Sequence, residues 1–361
     1  MTHVTASTLA PDLRPGGVAA WVRGRPVVVA VVAIVIMVIS VVLGVGLGSV
    51  QIGPTETVGV ILWRTLGLRA GLDWAPATEA IIWDLRLPRV LTSMVIGAGL
   101  AVAGATFQGL LRNPLADPYV LGTASGAALG AAVAVLIPIQ IAFLQFGLLH
   151  GLAFAGALLA AYVVFRLGGS GGPGGLTRLL LTGYAVGSVL AALLTMAMYV
   201  SGADLRQIFS FLLGGLAGAS WPRLAIAAPL IVGACTLMIL RSPVLDGLLL
   251  GDQAAGHLGI DVRRERGILL ALASLATAAG VAISGLIGFV GLVVPHFVRL
   301  VVGPAARRVL PISAILGAAL LTAADLVARL VGDVPVGVVM ALLGAPFFLF
   351  LLHRTRSSYE L

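Results

Sequence analysis

The sequence predicts an all-α membrane protein with ten transmembrane helices, short cytoplasmic helices and both termini in the cytoplasm. Hydrophobic residues make up 60% of the 361 positions and charged residues only 10%, whereas water-soluble domains average about 25% charged residues. The apolar residues lie in continuous runs that do not alternate with polar ones, which favours helices over barrel strands. Arginines are unevenly divided between the two sides that these runs define.

Eight charge-poor runs supply the predicted spans: 26–55, 90–111, 118–165, 179–203, 224–240, 267–298, 309–324 and 334–352. A helix needs about 20 residues to cross the hydrocarbon core, so the third and sixth runs are long enough to cross twice. We place their turns near Pro138–Gln140 and Gly285–Gly288, which gives ten spans in one membrane domain, residues 26–353. Residues 1–25 and 354–361 are predicted to be cytoplasmic tails, and the first of these lacks the features of a cleaved signal.

The arginines set the orientation. With both termini inside, 14 arginines fall on the cytoplasmic side and seven outside, and Arg299 lies within or near the eighth span. Cytoplasmic loops are usually the basic ones. The outside arginines Arg86, Arg89 and Arg329 are therefore exceptions, and two interpretations are open. Their heads could reach lipid phosphates, or they could form a patch that receives an acidic partner.

Several kinds of chemistry are not expected in this chain. All 22 basic residues are arginines, so a standard phosphate-binding P-loop, which needs a lysine, is excluded. No cluster of His, Cys or acidic residues has metal-ligand spacing, and no nucleophile–base pair stands out. Cys235 lies alone in an apolar run, where it is expected to be inert packing. We therefore predict no catalytic residue, no metal site, no cofactor and no nucleic-acid partner.

Asp325 is the clearest ionisable residue at membrane depth, with Arg329 four residues further on. It could be the proton carrier of a secondary transporter that works alone. It could also form an ion pair with Arg329 on one helix face and help to orient that arginine. The ion pair is favoured, because a proton relay usually needs several such groups.

Five sequence blocks resemble one family. They are RLPR at 86–89, NPLADP at 113–118, a Gly–acid–x–x–Ala–x–x–x–Gly pattern at 251–259, GFVGLVVPHFVRL at 288–300 and GDVPVGVVMALLGAPFFLFLL at 332–352. The resemblance covers about residues 60–352 and is to FecCD-type permease subunits of ATP-driven importers for iron-siderophore, haem and cobalamin. Its motif loop comprises Asn113, Pro114, Asp117 and Pro118.

The resemblance implies a multi-pass permease subunit of the bacterial cell (inner) membrane. Such a subunit moves a metal chelate, most often a ferric siderophore, into the cytoplasm by alternating access. The implied partners are a second permease copy or a paralogue, ATPase subunits that bind ATP and Mg, the lipid bilayer, and a periplasmic or lipid-anchored substrate-binding protein.

The resemblance also implies roles for particular residues. Arg86, Arg89 and Arg329 would dock the substrate-binding protein. The cytoplasmic loop 242–266 would form two short helices that fit a groove of the ATPase, through Gly251, Asp252, Ala255 and Gly259, with Leu258 as the apolar anchor. The alternative for this loop is a helix lying on the lipid surface. Leu176 and Thr177 would approach the cytoplasmic gate, and residues 201–221 would form a short outer helix.

Overall fold

The chain is almost entirely helical in the computed structural model, which describes residues 25–48, 50–68, 73–137, 142–143, 146–169 and 175–356. The helices are α1 (Pro26–Gly46), α2 (Pro54–Leu66), α3 (Pro76–Leu110), α4 (Thr123–Leu136), α5 (Leu148–Gly168), α6 (Gly175–Val200), α7 (Leu205–Leu213), α8 (Trp221–Leu240), α9 (Ser242–Leu249), α10 (Asp252–His257), α11 (Val262–Ser284), α12 (Val290–Val302), α13 (Ala306–Leu330) and α14 (Val336–Arg356). Short 3-10 turns occur at Pro118–Leu121 and Gly202–Asp204, and β1 (Ala142–Phe143) pairs antiparallel with β2 (Phe146–Gly147).

Among the described residues, seven helices are long and apolar enough to cross a membrane: α1, α3, α5, α6, α8, α11 and α13. Three shorter apolar helices lie within α4, α12 and α14. The all-α membrane class is thereby confirmed, while the count of ten spans and the side of the termini stay predictions. The turn predicted near Gly285–Gly288 is found between α11 and α12. The turn predicted at Pro138–Gln140 lies outside the described residues.

The centre of the fold is the interface between α3 and α13. Arg89, Ser93 and Gly97 stand four residues apart on α3, so they share one face of the helix, and each meets α13. Ser93 and Thr322 share a hydrogen bond of 2.8 Å. A Cβ atom on Gly97 would collide with the backbone of Gly317. The two backbones therefore touch at a pair of glycines, the close approach that small residues allow between membrane helices.

A second group of helices, α4, α5 and α6, packs beside this centre through the same device. Gly126 on α4 and Gly156 on α5 face each other so closely that a Cβ atom on either would meet the backbone of the other. Helix α6 lies outermost in this group, and large apolar side chains such as Tyr184 and Tyr199 are 79% and 85% exposed.

Helix α3 begins earlier than the apolar run predicts. The run starts at Val90, but the helix starts at Pro76 and passes through a π-helical segment, Ile81–Arg86. Pro88 has no N–H to donate to the carbonyl of Asp84, and a wider turn accommodates this gap. The charged residues Arg86 and Arg89 are consequently part of the helix and have partners inside the protein.

Candidate functional site

Two of the three predicted docking arginines bind the end of α1. Arg86 donates from Nη1 to the carbonyls of Val45 at 3.0 Å and Gly46 at 2.9 Å. Arg329 donates from Nη2 to the carbonyl of Gly44 at 2.8 Å. The last carbonyls of a helix have no partner within the helix and carry partial negative charge, so basic side chains satisfy and stabilise them. Arg86 and Arg329 thus cap the C-terminal end of α1.

The third arginine, Arg89, sits between two carboxylates. Its Nε donates to both oxygens of Asp325, at 3.0 and 3.1 Å, and its Nη2 donates to Asp333 at 2.8 Å. Asp325 is fully buried, and its Oδ2 also lies 3.1 Å from Nε of Arg329. The predicted Asp325–Arg329 ion pair is therefore present, and Arg89 is a second partner that the sequence did not reveal.

This placement changes how the predicted docking patch is understood. Arg86 is 6% exposed, and the side chains of Arg329 and Arg89 are 9% and 13% exposed. The three heads bind protein atoms, so snorkelling to lipid phosphates does not describe them. Of their carboxylate partners only Asp333 is well exposed, at 54%. The docking role stays a prediction for all three, and Arg89 is the one whose partner an incoming acid could replace.

The loop 242–266 forms two short helices, as predicted, and they are packed on the membrane helices. In α9, Leu245 and Leu248 are buried, and Leu245 lies against Gly109 near the end of α3. Gly251 has φ +114° and separates α9 from α10. A helix floating on the lipid surface would leave its apolar side to the bilayer, whereas this one covers the end of α3.

Asp252 fixes the start of α10. Its Oδ1 accepts hydrogen bonds of 2.8 Å from Nη2 of Arg112 and 2.8 Å from Nη2 of Arg266. Burial alone raises the pKa of the Asp252 carboxyl, but the two guanidinium groups outweigh it, so its pKa lies below the ordinary value. Arg112 also donates to the carbonyl of Leu248 at 2.8 Å. One carboxylate thereby joins α10 to the ends of α3 and α11.

The remaining predicted coupling residues divide into a buried side and an exposed side. Ala255 is fully buried, while Leu258 is 63% exposed. Gly259 has φ +78°, a conformation that glycine adopts without strain, and it ends the segment. The short helix α10 therefore packs against the protein through Ala255, and the large apolar side chain of Leu258 points away from it.

The motif loop ties the α3–α4 connection to the α11–α12 turn. Asn113 accepts from the backbone N–H of Leu115, and Asp117 caps the 3-10 turn by accepting from the N–H of Tyr119 at 2.8 Å. The Tyr119 hydroxyl donates to the carbonyl of Ile287 at 2.9 Å. Burial raises the pKa of Asp117 to about 6, partly offset by the bond from Tyr119. Of the two prolines, Pro118 is buried against Gly291 and Pro114 is exposed.

The structure gives the least information on the two predicted gate residues. Thr177 is exposed on α6, and the side chain of Leu176 lies outside the described residues. Their gating role stays a prediction.

Sequence reasoning missed several polar residues that hold the sites together, namely Arg112, Arg266, Asp333 and the pair Gln108–Arg299. Arg299 donates to Gln108 and, at 2.9 Å, to the carbonyl of Ala105, which links α12 to α3. Polar residues beside or within apolar runs were the available signal, because such groups are costly at membrane depth unless they have partners. Their partners could not be read from the sequence, since these lie up to 244 positions away along the chain.

Comparison with known proteins identifies the family. The FecCD transport family matches residues 36–354. This chain belongs to the FecCD transport family. It is 44% identical over 276 residues to the cobalamin import system permease of Halobacterium salinarum, covering 76% of this chain and 74% of that protein. It is 40% identical over 321 residues to the hemin transport system permease of Yersinia pestis, covering 86% and 92%.

A solved structure supports the fold as well. An inward-facing ABC transporter described as metal-chelate type superposes with a TM-score of 0.77 at 28% identity, covering 90% of this chain and 98% of that one. The FecCD protein described here is accordingly a multi-pass membrane protein and a transport subunit of the ABC class, and it is not an enzyme.

Proposed function

We propose that this chain is the membrane-spanning subunit of an ATP-driven importer that admits a bulky metal chelate by alternating access. The observation that supports it most is the α9–α10 element of a FecCD family member. This element is anchored on α3 and α11 through Asp252 and exposes Leu258. A short helix with an apolar anchor suits a groove on a partner, and the rigid support behind it would pass the partner's motion to the spans.

The cargo is the finer part of the proposal. The relatives named above import cobalamin and hemin, which are metal complexes of large, flat macrocycles. This favours a macrocyclic chelate over the ferric siderophore that the sequence analysis expects, and the siderophore is the second candidate.

The partners are proposed from the same geometry. ATPase subunits would bind α10 at Leu258 on the cytoplasmic side. A substrate-binding protein would approach the outer side at Arg89, where one of its carboxylates could replace exposed Asp333. A second permease copy or a paralogue would complete the central path.

A stand-alone proton-coupled transporter is a weaker reading of the same residues. Its carrier would be Asp325, which is fully buried and contacts both Arg89 and Arg329. The two arginines already bind this carboxylate directly, whereas a proton relay at membrane depth usually needs several ionisable groups.

Reconstitution tests the proposal. The purified chain is placed in liposomes alone, and also with the ATPase and binding protein that co-purify with it, and uptake of cobalamin, haemin and a ferric siderophore is measured. We expect ATP-dependent uptake of one chelate in the complete system only. Accumulation in liposomes that contain this chain alone would overturn the proposal.

A substitution at Leu258 tests the coupling step separately from transport as a whole. Leu258→Glu should leave the protein folded, because the side chain is 63% exposed, and should lower the amount of chelate moved per ATP hydrolysed at least tenfold. Leu68→Glu, at a side chain that is 57% exposed on the predicted outer side, is the matched control. Equal coupling in both variants would show that α10 is not the point of transmission.

A further inference from the structure

A cavity with a basic rim opens where the end of α5 meets the beginning of α11. Its volume is about 550 Å³, and three arginines, Arg166, Arg263 and Arg264, line it together with Asp261. All three arginines are exposed. We refer to Arg166, Arg263 and Arg264 as the arginine mouth.

The arginines of the mouth differ from their neighbours. Arg241 pairs with Glu265, and Arg266 pairs with Asp252. Within the ranges that the structure describes, no ion pair engages the three guanidinium groups of the mouth. Asp261 accepts a hydrogen bond from the backbone N–H of Arg264 and thereby caps the first turn of α11. The cavity therefore has an excess of positive charge that the residues described by the structure do not neutralise.

A second, narrower cavity of about 190 Å³ adjoins the mouth, because Phe165, Gly267 and Ala271 line both. It runs between α5 and α11 from Gly267 to Ser274, a distance of roughly 10 Å at the helical rise of 1.5 Å per residue. Its walls are almost entirely apolar, with Leu158 and Leu270 among them. We refer to this cavity as the slot.

From these two cavities we propose that the mouth and the slot together bind one anionic phospholipid. The phosphate would lie among Arg166, Arg263 and Arg264, and the beginning of an acyl chain would lie in the slot. Basic pockets between membrane helices are suited to anionic headgroups, and arginine offers several donors to phosphate oxygens at once. The glycine at position 267 opens the slot, since a Cβ atom there would lie 3.4 Å from the ring of Phe165.

The slot decides between a lipid and the other possible occupants. A free phosphate ion or an acidic protein surface would satisfy the arginines but would leave an apolar channel empty inside the membrane-spanning part of α11. A diacyl phospholipid matches both halves of the site, with its charge at the helix ends and its hydrocarbon between the helices. This inference does not depend on the identity of the transported chelate or on the ATPase.

The test uses the full chain in detergent, with native mass spectrometry counting the retained phosphatidylglycerol and phosphatidylcholine after equal additions of both. We expect phosphatidylglycerol to be retained at least tenfold more strongly. In the double variant Arg263→Gln/Arg264→Gln that retention should fall roughly thirtyfold, as expected for two lost contacts with an anionic headgroup.

The chain offers a closely matched control. Arg307 and Arg308 occupy the second and third positions of α13, as Arg263 and Arg264 do in α11, and are also exposed. Arg307→Gln/Arg308→Gln removes the same charge and should leave lipid retention unchanged. An equal loss in both double variants would indicate nonspecific attraction and overturn the proposal.

Two further variants probe the slot without altering charge. Gly267→Leu and Ala271→Phe should each lower phosphatidylglycerol retention at least fivefold while the protein elutes normally in gel filtration. Ala271 is exposed, so its variant serves if Gly267→Leu fails to fold. Displacement of the lipid by equimolar inorganic phosphate, or weaker ATPase assembly in Arg263→Gln/Arg264→Gln with unchanged lipid retention, would assign the arginines to another ligand and overturn the proposal.

Discussion

At the scale of single residues, the balance of charges around Asp325 is the feature on which the predicted outer end of the protein most depends. One buried carboxylate lies against two arginines whose side chains are 13% and 9% exposed. Burying these charges costs solvation, and only their mutual contacts offset that cost. Removing the carboxylate leaves Arg89 facing Arg329, and the negative charge that still contacts Arg89 is the exposed carboxylate of Asp333.

Asp325→Asn should therefore destabilise the protein by about 3–5 kcal/mol, the usual cost of removing one partner from a buried ion pair. Asp333→Asn is the control, because Asp333 is 54% exposed and an exposed pair contributes below about 1 kcal/mol. Thermal unfolding of both purified variants provides the measurement. A stable Asp325→Asn protein that had lost transport would instead support the proton-carrier reading.

Asp117 gives a prediction with a defined pH dependence. Its pKa is raised to about 6, so the folded chain holds this proton more tightly than the unfolded chain does. Stability from this group is lost as pH rises from about 4 to about 6, and the loss is complete above that range. Asp117→Asn keeps an acceptor for the N–H of Tyr119 and removes the charge.

We expect Asp117→Asn to raise Tm by a few degrees at pH 7.5 and by nothing at pH 4. Asp204→Asn, at an exposed carboxylate, should show no such difference between the two pH values. A gain of the same size at both pH values would mean that titration of Asp117 is not its cause.

At the scale of elements, α10 is a short helix that depends on Asp252 for its orientation. The side chain of Asp252 is 47% exposed but that of its partner Arg266 is 4% exposed. Asp252→Asn should leave the chain folded at a cost of roughly 1–3 kcal/mol, between the costs of losing an exposed and a buried ion pair. It should nevertheless lower the chelate-to-ATP ratio severalfold, because both Arg112 and Arg266 lose their common partner. Arg307→Gln, an exposed change on the same predicted side, is the control.

The depressed pKa of Asp252 sets the pH range of this effect. A carboxylate whose pKa is lowered on folding stabilises the fold above its ordinary pKa and loses that contribution only as pH falls through the folded value. Coupling in the wild-type protein should accordingly be constant from about pH 5 to pH 8. A fall in the chelate-to-ATP ratio within that range, with Asp252 intact, would contradict the role given to this carboxylate.

Apolar runs predicted the elements well and their contacts poorly. Most runs correspond to one long helix, and the third and sixth runs each correspond to two. The glycines in 242–266 placed the break between α9 and α10. Both signals are local in sequence. The start of α3 at Pro76 was missed, since Arg86 and Arg89 find their partners on α1 and α13, which are distant in sequence. For the same reason the sequence suggested that Arg86 is a surface residue, although it is buried and binds the last carbonyls of α1.

At the scale of the whole molecule, the α3–α13 interface joins the charged cluster around Asp325 to the short helices α9 and α10. Arg89–Asp325 lies at one end of the interface, and α9 covers the far end of α3 beside α13. Ser93–Thr322 and Gly97–Gly317 lie between them. Because the backbones touch at the two glycines, a small separation there would disturb every contact along the interface, and the interior cannot relax freely around an added atom.

Gly97→Ala should therefore lower Tm by several degrees, because the added methyl group meets the backbone of Gly317 and overpacking costs about 1–3 kcal/mol. Gly233→Ala makes the same chemical change in α8, where no atom lies within 4 Å of the added Cβ, and should not destabilise the protein. Thermal unfolding compares the two. If both variants unfold at the wild-type temperature, then α3 and α13 are not in contact at this level, and the link that we propose between the Asp325 cluster and α9–α10 fails with it.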